Sequence, residues 1–126
     1  MNGRYLFDTN AIVYYLQGQI AWVDFIDNTA MTERSTSVIT RMELLSYPEI
    51  ESHEEDRIRR FLADLTVVPL DNAIENMAIE LRRTARLKLP DAIVAATAVT
   101  MKATLLTADQ CLVGFKWPGF QVVTPV

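Results

Sequence analysis

Three acidic side chains, Asp8, Glu43 and Asp109, stand where strand-like runs meet helical patterns, and a fourth, Asp91, opens a helical pattern that precedes a strand. Carboxylates brought within a few ångströms repel one another and hold their protons more tightly unless cations neutralise them. A cluster of oxygen ligands with no histidine or cysteine beside it favours Mg²⁺ or Mn²⁺ over zinc. Each acid also suits a helix start. Asp8 and Asp109 can each cap the next helix, Thr40-x-x-Glu43 matches a capping box, and Asp91 after Pro90 suits the positive end of a helix dipole. Helix starts gather at one sheet edge in an α/β protein, so convergence alone leaves both readings open.

Other chemistries lack their residues. The chain has no Gly-rich phosphate loop, no H-E-x-x-H and no C-x-x-C. Its one histidine, His53, lies in the charged run His53-Glu54-Glu55-Asp56 and is expected in solvent, which leaves no histidine base or triad. Its one cysteine, Cys111, rules out an intrachain disulfide and a cysteine zinc site, and core packing is its expected role. Trp22 and Trp117 are expected in the core or at its edge.

With 12 basic and 16 acidic residues the net charge is −4, which argues weakly against a polyanionic partner. If four of the acids hold metal, the remaining acids equal the basic residues in number. Half of the 126 residues are apolar and 22% are charged, a globular balance that fits one domain over 1–126. The charge-free stretch from Thr9 to Val23 is broken by Gln17, Gly18 and Gln19 and is too short to span a bilayer. Arg4 and Asp8 bracket only three apolar residues, which is no signal-peptide layout. A soluble, cytoplasmic protein is expected.

The elements that must position the acids emerge from periodicity. Tyr5-Leu6-Phe7 reads as a buried strand. Helices come next over Ala11 to Leu16 and Ile20 to Ile26, then a strand over Ser35 to Val38 and a helix that Glu43 opens, ended at Tyr47-Pro48. His53 to Leu65 carries one apolar stripe, Ile58, Phe61, Leu62 and Leu65, and can be a surface or a partner-binding helix. Thr66 to Val68 is a third strand, and Asp71 or Asn72 caps a helix running to about Arg86. Pro90-Asp91 opens a helix, Ala92 to Met101, that is apolar on nearly every face and must be buried. Thr104 to Thr107 and Gln121 to Val123 complete five strands. Strands alternating with helices predict a parallel sheet covered on both faces, with its site at the carboxyl ends of the strands.

The segments Phe7-Asp8-Thr9-Asn10, Ser37-Val38-Ile39-Thr40-Arg41-Met42-Glu43-Leu44, Leu89-Pro90-Asp91-Ala92-Ile93-Val94-Ala95-Ala96-Thr97-Ala98 and Leu106-Thr107-Ala108-Asp109 resemble, in order, the four motifs of PIN domains. The likeness extends over nearly the whole chain and is greatest to VapC-type toxins of toxin-antitoxin pairs. The resemblance implies a PIN-like three-layer sandwich around a five-stranded parallel sheet, a homodimer, and Mg²⁺- or Mn²⁺-dependent cleavage of single-stranded RNA regions by cation-activated water. It also implies an antitoxin that blocks the site, often with an inserted basic side chain. By motif, Asp8, Glu43, Asp91 and Asp109 are the catalytic and metal-site acids, with Thr9, Asn10 and Thr107 in support. Where the family often has a further acid after the fourth motif, this chain has Cys111 and Leu112.

Three other readings compete. A PIN nuclease of RNA maturation or turnover would lack an antitoxin frame beside its gene. A phosphoacceptor receiver domain would show paired acids after the first strand and a lysine after the fifth, neither of which is present. A binding module would bind without cleaving.

Overall fold

The computed structural model describes residues 4–125, so the ends of the expected 1–126 span lie outside the described residues. Strands β1 (Arg4–Phe7), β2 (Arg34–Ser37), β3 (Thr66–Val68), β4 (Ala103–Leu106) and β5 (Gln121–Val123) form one sheet in the order β3-β2-β1-β4-β5. Every pairing is parallel. The helices are α1 (Thr9–Leu16), α2 (Ile20–Asp27), α3 (Val38–Leu45), α4 (Ser52–Ala63), α5 (Asn72–Ala85), α6 (Leu89–Met101) and α7 (Gln110–Val113).

Successive strand residues face opposite sides of a sheet, and here that alternation builds two cores. Leu6 and Leu105 pack with Ile74 and Leu81 of α5 and with the buried run Ala92 to Ala98 of α6. Phe7 and Leu106 pack on the other side with Ile12, Trp22, Ile26 and Leu62. The stripe Ile58, Phe61, Leu62 and Leu65 of α4 joins this second core, so its apolar face serves the fold. The result is the expected three-layer α/β sandwich, and α6 is buried on nearly all sides as its composition requires. No helix of the described residues is long and apolar enough to cross a membrane.

Several boundaries differ from the sequence expectation, each for a local reason. β2 is a polar strand, Arg34–Ser37, and it lies inside the protein because Ser35 and Thr36 each donate a hydroxyl hydrogen bond, 2.7 Å long, to the carbonyls of Tyr5 and Phe7. Ser37 then caps α3 by accepting from the Ile39 amide, so Val38 belongs to the helix and not to the strand. β4 ends at Leu106, one residue early, since the Thr107 hydroxyl turns to Asp8. α6 begins at Leu89, with Pro90 in its first turn where no amide hydrogen is needed. The four-residue α7 and a 3-10 turn at Met31–Glu33 are too short for periodicity to reveal.

From β1 the chain moves outward through β2 to β3, then returns to place β4 and β5 on the far side of β1. The carboxyl ends of β1 and β4 therefore flank the point where strand order reverses, which is where open α/β sheets leave a crevice. Asp8 directly follows β1, while Thr107 and Asp109 follow β4.

Candidate active site at the sheet edge

Asp8, Thr9, Asn10, Glu43, Asp91 and Asp109 line one cavity of about 270 Å³ over this crevice. Its remaining walls are Pro90, Val94 and Leu112. The structure thus brings together all four sequence-predicted acids and two of the three supporting residues. The third, Thr107, lies fully buried behind them and donates its hydroxyl to Asp8.

Asp8 is only 6% exposed. Its Oδ1 accepts from the Ala11 amide at 3.0 Å, so it does cap α1, and its Oδ2 accepts from Thr107. Capping and membership of the acid cluster are two uses of one side chain. Burial pushes the Asp8 carboxyl up from its ordinary 3.8 to about 6, and the charges of Asp109 and Asp91 push the same way. The hydrogen bonds from Thr107 and Ala11 oppose this rise without cancelling it. Asp91, in the first turn of α6, is also pushed up, first by burial and then by the charges of Asp109 and Glu43, with Lys88 opposing. Asp109 caps α7, accepting from the Cys111 amide at 2.9 Å, while its own amide donates to the Thr107 hydroxyl.

Glu43 is the site residue whose placement departs from expectation. It does not open α3 but lies near its carboxyl end, and no Thr40–Glu43 capping box forms. Ser37 is the cap, while Thr40 is buried with no partner for its hydroxyl among the described residues. An acid near the negative end of a helix dipole is mildly unfavourable, by a few tenths of a kcal/mol. Capping therefore does not explain Glu43. The Thr9 hydroxyl donates to Glu43 Oε1 across the cavity, joining α1 to α3.

Among the described residues, no three His, Cys, Asp or Glu side chains stand close enough to hold one ion together in this arrangement. The acids form a shared negative field and not a closed coordination shell. No ion pair among the described residues involves any of the four. Oxygen donors, mutual repulsion and this lack of a bound counter-charge suit a hard divalent cation.

Cys111 is exposed and does not enter the core, because the neighbouring Leu112 takes the inward position of α7. His53 lies in solvent as expected. Trp22 is buried, and Trp117 is half-buried beside Phe115. Sequence reasoning missed the apolar walls Val94 and Leu112. Val94 stands three residues after Asp91 on the same helix face, a spacing that could have shown it.

Comparison with known proteins agrees with this geometry. A family model for the PIN domain matches residues 5–113. The chain belongs to the PIN-domain family. Among solved structures it is similar to a chain in a toxin-antitoxin complex from Klebsiella pneumoniae, with 31% identity, 97% of this chain and 98% of that one covered, and a TM-score of 0.81. It shares the fold of VapBC2 from Rickettsia felis bound to a promoter DNA fragment, at 19% identity over 95% and 97% of the two chains and a TM-score of 0.79. DNA-bound VapBC from Salmonella typhimurium shares it too, at 19% identity over 97% and 98% and a TM-score of 0.77. No curated protein matches the sequence.

Proposed function

We propose that this chain is a VapC-type toxin, a divalent-cation-dependent endoribonuclease that hydrolyses single-stranded regions of RNA and is silenced by an antitoxin. The observation that carries the reading is the meeting of Asp8, Glu43, Asp91 and Asp109, from four separate parts of the chain, on one cavity at the switch point of the sheet. The Klebsiella pneumoniae relative, similar over its full length, supports the toxin-antitoxin setting.

Asp8, Glu43 and Asp91 would draw together from their present spacing to hold one Mg²⁺ or Mn²⁺, and Asp8 with Asp109 would take a second. When bound, such cations supply Lewis-acid chemistry, lowering the pKa of a water and offsetting charge on the phosphate and on the leaving oxygen. The protein's part is to aim the carboxylates. Thr107 and the Ala11 amide fix Asp8 at the end of β1, and Thr9 orients Glu43. Pro90, Val94 and Leu112 limit water on the apolar side of the cavity.

A groove of about 380 Å³ adjoins the site, sharing Thr9 and Glu43 with it and continuing over Val13, Leu44, Tyr47 and Ile58. An antitoxin segment with apolar side chains in this groove can extend a basic side chain to the acids. In this reading the protein works in the cytoplasm as a homodimer.

The test is incubation with single-stranded RNA, with Mg²⁺ or Mn²⁺ and with chelator. Cleavage to 3′-hydroxyl and 5′-phosphate ends is expected only with metal. A 2′-deoxy nucleotide at the cleavage point leaves the reaction intact, because the water and not the 2′-hydroxyl attacks. Cleavage in chelator, or complete dependence on the 2′-hydroxyl, refutes the mechanism. Growth arrest on expression, relieved by the adjacent reading frame, separates a toxin from a maturation nuclease.

A further inference from the structure

Arg41 and Arg59 line a second pocket, of about 180 Å³, between α3 and α4. Leu45, Leu62 and Ala63 complete it, and no acidic side chain lines it. Arg59 is held in place by its Nε, which donates to Glu55 at 2.8 Å one turn back. Among the described residues neither of its terminal nitrogens makes a hydrogen bond, and the Arg41 side chain makes none. Glu55 offsets the charge of Arg59, so the pocket carries one uncompensated positive charge, that of Arg41, together with the free terminal N–H donors of Arg59. Planar guanidinium forks match the oxygens of a phosphate.

The pocket's place gives it a use. At 3.6 residues per turn, Arg41 and Glu43 lie about 200° apart around α3, so they flank opposite sides of that helix. A single strand entering the acid cavity at Glu43 and crossing the exposed outer face of α3 at Met42 arrives at Arg41 and Arg59. A helix with its side chains is about 10–12 Å wide, a short reach for such a strand. We propose that the Arg41–Arg59 pocket binds a backbone phosphate of the RNA away from the scissile bond, setting how the strand lies across α3. The inference rests on the endoribonuclease reading above.

The test measures binding of a single-stranded RNA to the whole protein in chelator by fluorescence anisotropy, over a range of salt. Arg41→Gln, Arg59→Gln and the double variant are compared with wild type. The double variant is expected to bind about tenfold more weakly, the size of one lost charged hydrogen-bond pair. Its salt slope should be shallower by roughly 0.7, one phosphate on a single strand. In cleavage assays KM for long RNA rises with kcat unchanged, while a short RNA confined to the acid cavity is cut as by wild type. Both arginines are exposed at the helix surfaces, and circular dichroism checks that the variants fold. Wild-type affinity and slope in the double variant overturn the phosphate site while leaving the nuclease reading intact. Unchanged RNA binding with weakened antitoxin binding also overturns it, marking the pocket as a protein carboxylate site. Failure of wild type to bind or cut RNA removes both readings.

Discussion

Asp8→Asn and Asp91→Asn each lower RNA cleavage by at least about a hundredfold at saturating Mg²⁺, while both proteins stay folded. Asparagine keeps the size of the side chain and loses the charge. Cation stabilisation of the transition state is worth several kcal/mol, and each 1.4 kcal/mol is about tenfold in rate. Asp8 carries the larger loss, since it would be a ligand to both proposed cations and is the most buried of the four acids. The measurement is the single-turnover rate on a single-stranded RNA, with circular dichroism as the control. Wild-type rates in both variants would remove the acids from the mechanism.

The same Asp8→Asn change stabilises the metal-free protein at neutral pH. Burial and neighbouring carboxylates hold the Asp8 pKa at about 6 in the folded chain against an ordinary 3.8. A raised acid pKa means that the folded state binds its proton more tightly than the unfolded state. Stability from this group is therefore full below about pH 3.8 and falls as pH rises through about 6. The loss at neutral pH is about 3 kcal/mol, at roughly 1.4 kcal/mol per pKa unit. Asp91 is shifted the same way and adds to the slope. In chelator, urea unfolding at pH 7.5 should show Asp8→Asn more stable than wild type, with the difference vanishing near pH 4. Adding Mn²⁺ at pH 7.5 restores wild type and leaves the variant nearly unchanged. A variant less stable than wild type at pH 7.5 in chelator contradicts the strained acid cluster. Function and stability thus pull against each other at this residue.

The sheet was readable because its central strands carry the usual signals. Tyr5-Leu6-Phe7 is a short apolar run, and the apolar residues on nearly every face of α6 demanded burial. Asp8 and Asp109 were legible as residues that follow strands, and the structure shows both capping the next helix as well. The sequence pattern puts Glu43 at the start of its helix, and the structure puts it near the end. The run Ser35-Thr36-Ser37 has cap-forming residues in a strand, so the true cap, Ser37, competed with Thr40 in the sequence. What resolved it was the pairing of β2 hydroxyls with β1 carbonyls, a tertiary contact that no local pattern contains. Residue type alone places Cys111 inward, but on a four-residue helix the choice between it and Leu112 depends on packing. The groove beside Glu43 and the arginine pocket were invisible for the same reason, since each depends on how separate helices pack, α1 with α3 and α4 in the first and α3 with α4 in the second.

Anomalous scattering from a crystal soaked in Mn²⁺ tests the shared-ion claim most directly. The expected result is a peak inside the cavity, with oxygens of Asp8 and at least two of Glu43, Asp91 and Asp109 at roughly 2.1 Å, a normal bond length for such a hard cation. Saturating Mn²⁺ that leaves this cavity without a peak, or that gathers on other residues, would contradict it.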